Sequence, residues 1–109
     1  MLEALFGNKT LEKILFYLTA YKQGYSLAMA KNFKIAVYAV QLQLKRLEKG
    51  GIIVSFFLGK TRIYEFNPRY PFIKELMSLI QKAMAYLPKS EIKKYYKKKK
   101  MPRSVGKPF

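Results

Sequence analysis

The stretch from Ser26 to Val54 constrains this chain more than any other. Apolar residues recur there at helical spacing in two blocks, first Leu27, Ala30 and Phe33, then Val40, Leu44 and Leu47. Three residues, Lys34-Ile35-Ala36, separate the blocks. Each block needs a buried face, and the separation is too short for two helices lying side by side in long parallel register. The blocks read as a short helix, a tight turn and a longer helix. Gly50-Gly51 ends the second helix, since glycine enters the left-handed region without a Cβ clash. The residues after it, Ile52 to Phe57, are β-branched and aromatic and predict a strand.

Local chemistry supports the same order. Ser26 is placed to cap the first of these helices, its hydroxyl accepting from an orphan backbone N–H. The second helix is expected over about 37–49. Val40, Leu44 and Leu47 turn inward, and at ~100° per residue Tyr38, Leu42, Lys45 and Lys49 fall opposite, flanked by Gln41 and Arg46. Leu58-Gly59-Lys60-Thr61 reads as a turn, and Arg62 to Phe66 alternates as a partner strand. The order is helix, turn, helix, hairpin.

Upstream, Leu2, Leu5 and Phe6 suggest a short lead-in helix broken at Gly7-Asn8. Leu11, Ile14, Leu15, Leu18 and Tyr21 then mark a core helix, with Lys9, Glu12, Lys13 and Lys22 off its apolar face and Gly24 in its C-terminal cap region. Downstream, Asn67 to Pro71 is a stop, and Pro71 suits a first helical position. The helix over 72–87 buries Ile73, Leu76, Ile80, Ala83 and Leu87, while Phe72, Met77, Leu79, Met84 and Tyr86 widen its apolar surface. A helix apolar over so much of its surface is covered on two sides. The domain is one cover and a second copy of the chain is the expected other, making a homodimer through helix 72–87.

Composition narrows the chemistry. The chain has 109 residues, 22 Lys+Arg and six acids, for a formal net charge of +16. It contains no histidine, cysteine or aspartate. The usual catalytic triads, the commonest general base, thiolate metal sites and disulfides are excluded, so an enzyme is not expected and no cofactor is assigned. No apolar run approaches the ~20 residues of a membrane-spanning helix, and no secretory leader pattern opens the chain. A cytoplasmic, nucleoid-associated protein is expected. So large a cationic excess attracts polyanions at long range. It concentrates after Pro88: residues 89–109 hold nine basic side chains against Glu91, a net +8. Consecutive lysines repel one another, so a flexible basic tail is expected over 89–109, following a domain over 1–88.

The ordered set resembles small prokaryotic winged helix-turn-helix transcriptional regulators of the ArsR-like and MarR-like type, ArsR-like most closely. The residues carrying the resemblance are Ala30-Lys31-Asn32-Phe33 through Val40, Leu44-Lys45-Arg46-Leu47-Glu48 and Gly51-Ile52. Gly59-Lys60-Thr61-Arg62-Ile63-Tyr64-Glu65-Phe66-Asn67-Pro68 continues it through the hairpin, and the match covers roughly residues 2–87. The implied fold is mostly α with a small β-hairpin, a winged helix-turn-helix with an added C-terminal helix and basic tail. Two positions depart from the family pattern: Lys34 stands where glycine is frequent, and Ala36 where a serine or threonine cap is frequent. Metal-sensing members use cysteines or histidines, which this chain lacks.

The resemblance implies double-stranded DNA as partner, with helix 37–49 in the major groove and wing 58–62 on the backbone or minor groove. Val37, Tyr38, Gln41, Leu42 and Lys45 sit where such proteins meet the major groove. A glutamine can pair with an adenine edge and an apolar side chain can touch a thymine methyl, whereas Lys45 and Lys49 suit phosphates. Lys60 and Arg62 act from the wing. In the tail, Lys93, Lys94, Lys97, Lys98, Lys99 and Lys100 can neutralise phosphates while Tyr95 and Tyr96 pack on sugars or unpaired bases. A winged helix also serves as an RNA-binding or protein-docking module, because fold does not dictate function.

Overall fold

The computed structural model describes residues 1–97. Helix α1 (Glu3–Phe6) ends at Gly7, whose φ of 73° is the left-handed conformation the expected break required. Asn8 then caps α2 (Lys9–Tyr21), its Oδ1 accepting from the Leu11 N–H at 2.9 Å. Leu11, Ile14, Leu15 and Leu18 are buried, as their spacing demands. Glu12, expected off the apolar face, is buried too. The cause is α1 folding over it: the Glu12 carboxylate accepts from the Leu2 N–H, which offsets its desolvation.

The next segment differs from expectation. Gly24 does not cap a helix. Gln23–Gly24 is a short strand, β1, paired antiparallel with residues 64–65. Glycine is needed at that position because a Cβ would lie 2.6 Å from the Tyr17 ring and 2.8 Å from the Met29 methyl. Helix α3 (Ser26–Phe33) begins one residue before its expected start, with Tyr25 in the N-cap position, so Ser26 does not cap it. Met29, Ala30 and Phe33 face the core. The turn is Lys34-Ile35-Ala36, and α4 follows over Val37–Lys49 with Val40, Leu44 and Leu47 buried.

Strands β2 (Ile53–Leu58) and β3 (Thr61–Phe66) form the hairpin in the register Ile53 to Phe66 through Leu58 to Thr61. Gly59 has a φ of 65° and Lys60 does not share the positive sign, the pattern of a two-residue hairpin loop with glycine first. With β1 the sheet has three antiparallel strands in the order β1-β3-β2. Helix α5 (Ile73–Ala85) returns across α2, burying Ile80 and Ala83.

Regular structure continues past residue 88. Lys89–Glu91 forms α6, which runs on as one π-helical turn over Ile92–Tyr96. Tyr96 is buried, edge-on to Phe16 at 5.7 Å between ring centroids. Tyr95 packs tilted against Phe33 with ring centroids 5.6 Å apart, and its carbonyl accepts from Asn32 Nδ2 at 3.0 Å and Tyr21 Oη at 3.1 Å. Two aromatic side chains supply enough apolar area to override the repulsion of Lys93 and Lys94. The folded domain therefore reaches Lys97. The remaining expected tail contacts, Lys98, Lys99 and Lys100, lie outside the described residues.

Candidate nucleic-acid interface

Helix α4 is anchored by one face and free on the other. Val40, Leu44 and Leu47 fill the core, and the i+3 neighbour Gln43 is buried beside them. On the solvent side Tyr38 is 71% exposed, Leu42 49% and Val37 36%, with Gln41, Lys45, Arg46 and Lys49 also exposed. Thirteen residues at ~1.5 Å rise give an element about 20 Å long. Its ~10–12 Å diameter matches the ~12 Å width of a B-form major groove.

An open cleft of about 760 Å³ joins three elements. Tyr25, Ser26 and Leu27 bring the N-terminal end of α3, Gln41 and Lys45 come from α4, and Lys60 and Arg62 come from the hairpin. Four of the eight residues expected to meet DNA from α4 and the wing thus line one concavity. Val37, Tyr38 and Leu42 extend the exposed face of α4 outside it, and Lys49 stands at the far end of the helix.

Arg62 is not a free cation. Its Nη2 donates to Glu48 Oε1 at 3.0 Å and Oε2 at 3.2 Å, and its Nε donates to Ser55 Oγ at 2.9 Å. Ser55 Oγ donates in turn to Glu48 Oε2 at 2.5 Å. The guanidinium lies 5.7 Å from the centroids of both Phe57 and Tyr64. This chain of contacts ties the hairpin to the last turn of α4, fixing the wing relative to the helix it flanks. Sequence reasoning did not bring Glu48 and Ser55 to Arg62. Glu48 carried a signal, being the one acid in α4. Its partner, fourteen residues away, could be paired with it only through the hairpin register. Lys60, at the hairpin loop, is exposed.

The tail lysines that are described take another side. Lys93, Lys94 and Lys97 are exposed, and Lys94 Nζ sits 5.1 Å over the Tyr95 ring. Lys97 leaves the domain with its carbonyl accepting from Tyr21 Oη at 3.0 Å. Asn32, which holds Tyr95, is at the C-terminal end of α3, whereas the cleft uses the N-terminal end. Wing and tail accordingly flank α3 at opposite ends.

Among the described residues no helix is long and apolar enough to cross a membrane. No protein-family model and no curated protein matches the sequence. Solved structures do share its fold. YusO from Bacillus subtilis superposes with a TM-score of 0.59 over 84% of this chain and 72% of that one, at 18% identity. The adhesin competence repressor of Streptococcus pyogenes gives 0.57 over 86% and 73%, at 18% identity. The transcriptional regulator BldR from Sulfolobus solfataricus gives 0.59 over 84% and 66%, at 15% identity. The helix-turn-helix, three-stranded sheet and C-terminal helix of this chain are those of a winged-helix fold.

Proposed function

We propose that this chain is a winged-helix transcriptional regulator that binds double-stranded DNA, with α4 in the major groove and the hairpin on the adjacent backbone or minor groove. The observation that carries the reading is the cleft between α4 and the wing. It gathers Gln41, Lys45, Lys60 and Arg62 beside the exposed Val37, Tyr38 and Leu42, in a chain of formal net charge +16. Gln41 has the paired donor and acceptor that an adenine edge requires, and Val37 and Leu42 have the methyl groups that suit thymine. Lys45 and Lys49 neutralise phosphates and set register without reading sequence. Lys93, Lys94 and Lys97 add salt-sensitive affinity on the flank away from the wing, and Lys98, Lys99 and Lys100 follow them in the sequence as further cations for phosphates. The neighbours' names, a repressor and a transcriptional regulator, agree with this reading. The protein acts in the cytoplasm on the nucleoid as a homodimer, by occupying an operator and blocking or assisting polymerase.

One observation favours a second reading. The outer face of α4 is unusually apolar, and Tyr38 and Leu42 suit a protein partner as well as a groove. Selection from sheared genomic DNA at about 150 mM salt, where nonspecific phosphate contacts are weakened, separates the two. A regulator enriches one motif, an inverted repeat for a dimer, and prefers it to random duplex by ~10³-fold or more. Uniform retention without enrichment moves the assignment to an RNA-binding or protein-docking module.

A further inference from the structure

The end of the hairpin is apolar where a solvated loop is ordinarily polar. Phe57 is 67% exposed, Leu58 69% and Phe56 40%, and every residue from Phe56 to Arg62 is exposed. Successive side chains on a strand point to opposite faces. Phe57 and Leu58 therefore make the tip apolar on both of its faces. Its charge has one sign: residues 55–64 include Lys60 and Arg62 and no acid. Lys60 follows Gly59 in the loop, and Arg62 lies across the ladder from Phe57, its guanidinium 5.7 Å from the ring centroid. The tip is also held in place. Arg62 and Ser55 both donate to Glu48, which ties the strands behind the tip to α4.

We propose that the tip is a wedge for duplex DNA. Leu58, backed by Phe57, enters the minor groove beside α4, slides between two stacked base pairs and kinks the duplex at that step. The wedge rests on the DNA reading of α4 and the wing, and adds to it a distortion of the duplex. An apolar side chain inserted at a base step bends DNA by about 20–90° toward the major groove. It is covered by a base pair on each side, which suits a tip apolar on both faces. A protein surface would cover one face and leave the other to water. A lipid surface would admit both, yet Lys60, Thr61 and Arg62 open onto the same cleft as Gln41 and Lys45. The tip thus continues the face proposed for the groove. Lys60 and Arg62 stand on either side of the wedge, where the phosphates flanking an opened step can hold them. Pyrimidine–purine steps, TA among them, unstack most easily. The wedge accordingly reads the flexibility of a step and not the edges of its bases.

The test uses 2-aminopurine, whose fluorescence rises when it leaves the stack, in two duplexes of about 30 base pairs. One is built of TA repeats, and the other is an A-tract, stiff but equal in phosphate charge. At saturation the full-length wild-type chain is expected to raise emission from the TA repeat and leave the A-tract dim. Leu58→Ser, and the double variant Phe57→Ser with Leu58→Ser, change exposed positions and keep both cations. They are expected to lose the rise and retain the salt dependence of binding. Lys60→Ala reverses the pattern, flattening the salt slope by about 0.9 per protomer and keeping the rise at saturation. Saturated binding of wild type to the TA repeat without a rise, or a rise that survives in Leu58→Ser and in the double variant, overturns the wedge and leaves DNA binding standing. An equal rise on both duplexes overturns the reading of step flexibility. Vesicles with about a third phosphatidylserine that bind wild type and not the double variant, while the duplex signals of the two agree, assign the tip to a lipid surface and overturn the wedge. A wild-type chain that binds neither duplex at low salt overturns the DNA reading together with it.

Discussion

Lys34 shows how a single backbone angle can be read before it is seen. It stands where glycine is frequent in the family the sequence resembles, and its φ of 57° and ψ of 48° are left-handed. A side chain pays roughly 1–2 kcal/mol for that conformation, and glycine's greater freedom in the unfolded chain returns ~0.5–1 of it. Lys34→Gly is therefore expected to stabilise the fold by up to about 1 kcal/mol, read as a higher urea midpoint at unchanged slope. Gln43 poses the opposite case. Its place on α4, three residues after Val40, carries it into the core, yet a glutamine keeps its polarity there, and its Oε1 is buried without a hydrogen-bond partner among the described residues. An unmatched buried acceptor costs ~1–3 kcal/mol. Gln43→Met keeps the length, removes the polar oxygen and is expected to raise the midpoint by about 1 kcal/mol. A lower midpoint would mean that the amide nitrogen makes a compensating contact.

The elements divide by how local their causes are. Helices α2 and α4 were legible because Leu11 through Leu18 and Val40 through Leu47 repeat at one period, and the hairpin because Gly59 punctuates two strand-like runs. The short strand β1 was not, since two residues carry no period and Gly24 is explained only by the side chains of Tyr17 and Met29 closing on it. The π-helical turn was hidden for a related reason. Four lysines surround Tyr95 and Tyr96 within residues 93–98, and local charge predicted fraying, whereas the partners Phe16, Phe33, Tyr21 and Asn32 lie more than sixty residues away. Burial pushes the Tyr96 hydroxyl far above the ordinary tyrosine range, with the carboxylates of Glu91 and Glu12 adding to it. Burial raises Tyr17, Tyr21 and Tyr64 as well. A folded-state pKa above the unfolded one gives stability that is complete below about pH 10 and is lost as pH rises toward the folded value, because the unfolded chain releases its proton first. The urea midpoint should fall between about pH 9.5 and 11.5. Tyr96→Phe should flatten that fall, even if it lowers the midpoint at neutral pH. An unchanged alkaline slope would show that Tyr96 ionises freely and the turn is not packed.

For the molecule as a whole, charge and shape act together. The described residues measure 40 × 35 × 29 Å, so two copies side by side have centres separated by about one ~34 Å turn of duplex. That spacing suits an inverted repeat with successive major grooves on one face. A net charge of +16 attracts polyanions, a duplex among them, but the placement of pairs decides how much each cation contributes. Lys60 is exposed at the hairpin loop, whereas Arg62 shares its charge with Glu48. Each phosphate neutralised steepens the dependence of log K on log salt by about 0.9. Lys60→Ala should therefore flatten the slope for a random 30-base-pair duplex by about 0.9 per protomer, and Arg62→Ala by clearly less. Glu48→Gln removes the counter-charge and keeps the guanidinium, so it should tighten nonspecific binding at low salt and steepen the slope by up to about 0.9. The same substitution loosens the tie between α4 and the wing, so preference for a selected operator over random duplex should fall even as overall affinity rises. Gain in affinity with loss of discrimination is the expected signature of a latch that positions the wing. Affinity and slope both unchanged in Glu48→Gln would place Arg62 outside the interface and leave Lys60 as the wing's contribution.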